Sequence, residues 1–190
     1  MQHSLLPAAG MPAPEPLPQI TAPPLPRCAW CAQPGAMFAE KKAQRSCAHC
    51  YLACHLERAR IDEEATLVWL PEIEQRSLNV LCRELYQRMR LLGVGLGEDA
   101  PVGPDPEAAA LRAARAALLQ RSDTVASRLG TSRPSDLADA LRFLPPALHD
   151  RRGELLGGLR VLPLGRFFAA HQDVYPDILE AWRRPAADQR

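Results

Sequence analysis

Two different spacings of apolar residues lie side by side in the middle of the chain. Thr66-Leu67-Val68-Trp69-Leu70 is a compact β-prone run. Beyond it the spacing changes, and Leu78, Leu81, Cys82, Leu85, Met89 and Leu92 fall at helical intervals. The switch predicts a short strand and then a helix starting near Pro71-Glu72, where proline is tolerated and acids are favoured in the first turn. Gly93 ends that helix. Further on, Asp105-Pro106 caps a helix of about 107–129 that Gly130 stops. It is rich in alanine, which lets a neighbouring helix approach closely. Another helix begins near Pro134, behind Ser132, carries Leu137, Leu141 and Phe143, and breaks at Pro145-Pro146. A helix of roughly 146–157 ends at Gly157-Gly158. Leu159-Arg160-Val161-Leu162-Pro163 reads as a connector, and two short helices, about 164–172 and 176–184, finish the chain. No internal repeat is present.

These elements divide the sequence into four parts. Residues 1–26 are rich in proline and carry one acid, Glu15, with no lysine or arginine. Such a stretch buries too little surface to offset its ordering entropy, so a disordered tail is expected. Residues 27–92 hold four closely spaced cysteines, a strand and a helix. Residues 93–106 (GVGLGEDAPVGPDP) are a linker by composition. Residues 107–190 form a helical region expected to pack on the first module. The expected class is α+β and mostly α: a small zinc module with short strands, followed by a helical body.

The cysteines carry the chemistry. Cys28-x2-Cys31 and Cys47-x2-Cys50 are two knuckle pairs separated by residues 32–46. Two thiolates three residues apart bind one ion from a tight turn, and two such turns complete the four-sulfur tetrahedron that Zn²⁺ accepts. Pro34-Gly35 supplies the turn after the first pair. Leu52, Leu56 and Glu57 follow the second pair at helical spacing, which places Cys47 and Cys50 at a helix N-terminus that favours thiolate. The order is treble-clef-like: knuckle, short hairpin, helix. One structural Zn²⁺ per chain is expected. Four thiolates leave a net charge of about −2 around the ion, and Arg27, Lys41, Lys42 and Arg45 are the nearest cations in sequence. Cys54 and His55 are spare donors, Cys54 being expected as a packed thiol. His49 lies inside the second knuckle, and Cys82 falls on the apolar stripe of its helix.

Composition narrows the function. The 190 residues are 47% hydrophobic but only 5% aromatic, so the core is mostly Leu, Val and Ala. A formal charge of +1 argues against a protein that wraps nucleic acid electrostatically. The arginine pairs Arg58/Arg60, Arg88/Arg90, Arg112/Arg115 and Arg151/Arg152 are scattered among acids, without interleaved aromatics. No apolar run approaches the ~20 residues that span a bilayer. The first residues lack the basic start and apolar stretch of a secretory signal. A cytosolic chain with reduced cysteines is the expectation, and paired cysteines then mean metal before disulfide.

A closed four-sulfur site has no open position to activate water. The ββα-metal nucleases carry paired-knuckle zinc of this kind, but they need a hairpin histidine and a His or Asn for a catalytic cation. Residues 32–46 contain no His, Asn or Asp, and Glu40 is the one residue there able to bind a hard cation. The segment is also short for a catalytic hairpin. No G-x-S-x-G, Walker A or H-E-x-x-H motif is present. Asp62-Glu63-Glu64 reads as a solvated charge run, and His149 and His171 as isolated surface or core histidines. No catalytic residue is assigned.

Cys47-Ala-His-Cys50, Thr66-Leu-Val-Trp-Leu-Pro-Glu72 and Leu78-Asn-Val-Leu-Cys82 together resemble the DotN (IcmJ) proteins of type IVB secretion and related conjugation systems. Leu159-Arg-Val-Leu-Pro163 and Ile178-Leu-Glu-Ala-Trp182 are similar too, so the likeness runs from about residue 27 to 184. The resemblance implies a zinc-containing, nuclease-like (HNH-like) fold without nuclease function. It implies a cytoplasmic subunit, peripheral to the inner membrane, in a coupling complex whose membrane-anchored ATPase gathers substrates. Its partners would be that ATPase, bound through its C-terminal extension, and the associated adaptor proteins. Carried over by position, the zinc ligands are Cys28, Cys31, Cys47 and Cys50. The proline-rich tail and the short segment between knuckles depart from the family pattern. The competing expectations are a nuclease using Glu40 with His49 or His55, and a zinc-finger DNA-binding regulator.

Overall fold

A computed structural model describes residues 27–35, 37–39, 45–96, 105–151, 154 and 156–183. The expected disordered tail, most of the expected linker, and Glu40, Lys41 and Lys42 lie outside the described residues. The architecture is mixed α+β, with short antiparallel strands among helices. The N-terminal hairpin pairs β1 (Met37–Ala39) with β2 (Arg45–Cys47), Phe38 facing Ser46. α1 (Ala48–Cys54) follows directly, then the single turn α2 (Ile61–Glu64) and β3 (Ala65–Trp69). Helices α3 (Gln75–Leu91), α4 (Pro106–Leu129), α5 (Pro134–Arg142) and α6 (Pro146–Asp150) come next. β4 (Leu159–Pro163), the small hairpin β5 (Phe168–Ala169) and β6 (Gln172–Asp173), and α7 (Tyr175–Arg183) complete the order.

The centre of the fold is a pair that sequence reading missed. Leu159–Pro163 is not a connector but strand β4, antiparallel to β3 from Ala65↔Pro163 to Trp69↔Leu159. Leu67 and Val68 are adjacent in sequence, point to opposite faces, and are both fully buried. Both faces of this two-stranded ribbon are therefore covered, α4 lying against β3 and α3 against β4. A lone two-stranded ribbon is marginal in water, and it persists here because helices close over it.

The ribbon also shifts the start of α3. Leu70 N–H donates to the Gly158 carbonyl at 2.8 Å, and Arg160 Nε donates to the Ile73 carbonyl at 2.7 Å. These bonds hold residues 70–73 against β4, so the helix begins at Gln75 rather than at Pro71-Glu72. Its buried face differs from the expected stripe as well. Leu81 is 48% exposed, whereas Asn79 and Arg83 are buried beside Leu78, Cys82, Leu85, Tyr86 and Met89.

α4 matches its sequence signals closely. Asp105 accepts a bond from Glu107 N–H at 2.9 Å, Pro106 occupies the first turn, and Gly130 closes the helix at φ +78°. α5 starts at Pro134 as expected, but its end leaves Phe143 84% exposed while Leu137 and Leu141 are buried. The expected helix over 164–172 is instead the β5–β6 hairpin. Asp173 Oδ1 accepts from Phe167 N–H and Tyr175 N–H, both at 3.0 Å, and Glu64 Oε1 accepts from Phe168 N–H at 2.6 Å. Amides engaged in this way are not free to form helical bonds.

The Asp62-Glu63-Glu64 run is not a solvated face. Asp62 accepts from Ser135 N–H at 3.0 Å and so caps α5 from another part of the chain. Glu63 pairs with Arg60 at 2.6 Å on the surface. Glu64 is fully buried and takes both Arg58 Nε at 2.8 Å and Nη2 at 2.7 Å. Arg58 Nη2 also reaches the Phe168 carbonyl at 2.9 Å, tying α2 to the C-terminal hairpin. Among the described residues no helix is long and apolar enough to cross a membrane. Removing one partner of a buried ion pair leaves an uncompensated charge. Glu64→Gln should therefore lower stability by about 3–5 kcal/mol, read from urea denaturation, while Glu63→Gln on the same turn should change it by less than about 1 kcal/mol.

Candidate metal centre

The first knuckle is built by backbone bonds that need no metal. Cys28 N–H donates to the Gln33 carbonyl and Ala32 N–H to the Cys28 carbonyl, each at 2.9 Å. Ala32 turns left-handed, φ +59°, to close the loop. A bridge between Arg27 and Pro34 seals its base, and Ala29 N–H donates to the Arg45 carbonyl at 2.9 Å, fixing the knuckle to β2. Gly35 follows at φ +134°, a conformation that favours glycine. A Cβ there would lie 2.2 Å from Trp182 Cδ1, so the knuckle turn and α7 pack without room for a side chain.

The second knuckle spans the β2–α1 junction. Cys47 ends the strand and Cys50 sits in the first turn of α1. Cys47 N–H points at Cys28 Sγ, 3.3 Å away. The sulfurs of Cys28, Cys31, Cys47 and Cys50 all lie within 4.8 Å of one another. Cys31 Sγ and Cys47 Sγ are 3.7 Å apart. Sulfurs placed at about 2.3 Å from a tetrahedral Zn²⁺ stand about 3.8 Å from each other, so the spacing suits such an ion. Cys28, Cys47 and Cys50 are buried and Cys31 is partly so. None of the six cysteines forms a disulfide.

Four thiols this close titrate against one another. Cys28 is drawn far below the ordinary thiol value, first by hydrogen bonding with Cys31 and then with Cys47 and Cys50. Cys50 is driven far above it, first by Cys28, then by Cys31 and Cys47. The first sulfur to ionise is stabilised by its neighbours' protons, and the last would join three thiolates. Full ionisation of the cluster thus calls for a divalent cation. The four cysteines are able to hold a metal ion such as zinc.

The other candidate donors are placed elsewhere. Cys54 is partly buried and not part of the group. His55 Nδ1 lies 3.0 Å from Glu57 Oε1 and is likewise outside it. Cys82 is fully buried in the core, and burial pushes its thiol up to about 12. His171 is exposed, and the side chain of His149 lies outside the described residues. His49 is 1% exposed. Its Nδ1 is 3.1 Å from the Asn79 carbonyl and its Nε2 is 2.7 Å from Tyr175 Oη. A carbonyl only accepts, so Nδ1 carries the proton and Nε2 accepts from the tyrosine. Burial pushes His49 down to about 4 and pushes Tyr175 well up, which keeps both neutral. Of the sequence-predicted cations, Arg27 and Arg45 are both exposed.

Sequence reading missed two residues beside the cluster. Asn79 Nδ2 lies 3.2 Å from Cys50 Sγ. Arg83 is 5% exposed, and its Nη1 donates to the Pro34 carbonyl at 2.6 Å. Neither was among the expected site residues, and only their spacing of four residues hints at a shared face.

The chain matches no protein-family model and no curated protein sequence, so the chemistry of the site carries the reading that follows. Gly35→Ala should lower the melting temperature by several degrees through the Trp182 collision and the positive φ. Thermal unfolding checks this, with Gly93→Ala as the comparison, since nothing lies within 4 Å of a Cβ there and only the φ of +65° acts.

Proposed function

We propose that this chain is a non-catalytic zinc protein acting as an adaptor or scaffold, its metal fixing structure. The observation that carries the reading is the four-sulfur cluster at tetrahedral spacing. Zn²⁺ bound by Cys28, Cys31, Cys47 and Cys50 has no open position, and it would lock the knuckle to the β2–α1 junction. The order of knuckle, hairpin and helix supports a treble-clef-like module, related in outline to the HNH class.

The nuclease reading loses ground at His49, whose two ring nitrogens face Asn79 and Tyr175 rather than solvent. A general base must reach the proton it removes. The partner follows from the resemblance stated for residues 27–184: the coupling ATPase of a type IVB-like secretion or conjugation system, bound through its C-terminal extension. The protein would then be cytoplasmic and held at the inner membrane by that ATPase.

Metal analysis of the purified chain should give one zinc per molecule. Cys50→Ser should lose it, with a lowered melting temperature, because a structural site contributes folding energy directly. Tagged protein recovered from its native cells should bring the coupling ATPase, and truncating the ATPase's C-terminal extension should abolish the recovery. No Mg²⁺-dependent cleavage of DNA is expected. Zinc without the ATPase would leave the metal module standing and sink the adaptor reading. Cleavage that disappears in a Glu40→Gln variant would replace it with the nuclease.

A further inference from the structure

α3 carries a row of polar side chains that runs from β4 to the cysteine cluster. Gln75, Asn79 and Arg83 are spaced four apart, so they stand one above another on a single face. Burying such a row is costly unless every group has work to do.

The orientation of Asn79 is determined by its neighbours. Val161 N–H donates to Gln75 Oε1 at 2.8 Å, and Gln75 Nε2 donates to the Val161 carbonyl at 2.7 Å. Both ends of the Gln75 amide are thus set by β4. Gln75 Nε2 also lies 2.9 Å from Asn79 Oδ1, which must accept. The Asn79 amide nitrogen is left facing Cys50 Sγ, so the contact is N–H···S with the sulfur accepting. The Asn79 backbone carbonyl meanwhile receives the His49 proton, which anchors the same residue to α1. A chain of bonds runs from the β4 backbone to one sulfur.

One turn further along, Arg83 is a buried cation with no carboxylate within ion-pair distance among the described residues. Its guanidinium lies 4.7 Å from the Trp182 ring centroid and donates to the Pro34 carbonyl, while its Nε, also buried, has no hydrogen-bond partner among the described residues. An unpaired charge at such a place needs a counter-charge. Burial disfavours its charged form, and Cys47, Glu84, Cys31 and Tyr175, in that order, favour it. A zinc tetrathiolate carries about −2, and Arg83, bonded to Pro34 just after the first knuckle, is a buried cation on the helix that also reaches Cys50.

We propose that Asn79 and Arg83 are positioning residues for the metal centre: Asn79 holds Cys50 as an N–H···S acceptor, and Arg83 is the buried counter-cation of the tetrathiolate. The proposal rests on the metal reading of the four cysteines. Groups behind the ligands of a metal typically change its affinity by about 10–100-fold when removed.

The test uses the full chain loaded with Zn²⁺, for competition against a chelator, and with Co²⁺, for the sulfur-to-metal charge-transfer band. Asn79→Ala and Arg83→Gln should each weaken zinc binding by about 10–100-fold and move the band to lower energy, because the sulfurs lose a donor or a nearby positive charge. Arg83→Lys should keep the band near its wild-type position, and Arg45→Gln, exposed and merely close in sequence, should change neither quantity. If Arg83→Gln fails to fold, Arg83→Met, which keeps the stem and removes the charge, takes its place. Bands and affinities unchanged in Asn79→Ala and in the folded charge-removing variant of Arg83, with only the melting temperature lowered, would mean ordinary packing and overturn the proposal. A wild-type chain that binds neither metal would overturn the metal reading itself, and this proposal with it.

Discussion

Four sulfur atoms within 4.8 Å of one another are the constraint on which the N-terminal third depends. Thiols crowded in this way cannot all ionise without a cation, and burial of Cys28, Cys47 and Cys50 raises the cost of charge further. Two donors face the sulfurs directly: the Cys47 amide at Cys28 and the Asn79 side-chain amide at Cys50, while the knuckle closes through its own backbone. The β1–β2 hairpin, three residues a side, is too short to stand alone. It is held at one end by the cysteine cluster. On its inner face Phe38 is buried, stacked on Phe167 from the far end of the chain with centroids 4.6 Å apart.

That stacking is one of several ties that make the metal site and the C-terminal segments a single packing problem. α3 is the shared element. One stretch of it lies under β4 and touches the ribbon through Gln75, while the same face reaches the cluster through Asn79 and Arg83. α7 closes the other side, placing Trp182 against Gly35 and Tyr175 on His49. The knuckle and α7, and the ribbon and Cys50, are thus joined through bonded or packed neighbours.

What could be read from sequence follows the range of the interactions. The two C-x2-C pairs, the cap and stop of α4 at Asp105 and Gly130, and the β-prone run before α3 are local signals, and the structure carries all three. β4 was not legible, because Leu159–Pro163 is five residues ending in proline and becomes a strand only beside Ala65–Trp69, far away in the chain. The β5–β6 hairpin was read as a helix for the same reason, its amides being claimed by Asp173 and by Glu64 from α2. On α3 the polar residues misled. Leu81, expected on the apolar stripe, is 48% exposed, while the polar Arg83 is buried. Periodicity assigns faces by polarity, and it fails where a polar side chain has a buried task.

The buried polar residues also bear on what the protein does. An enzyme that used this module for hydrolysis would need a base open to substrate and a cation with a free position. His49 is the histidine nearest the cluster in sequence, and it spends both ring nitrogens on α3 and α7. Neutral, 1% exposed and hydrogen-bonded at each end, it serves as a strut between helices. The same holds for Glu64, an acid fully buried against Arg58. His49 and Glu64 are each engaged in holding elements together. Rigidity of this kind is what the proposed adaptor role requires of a surface presented to another macromolecule.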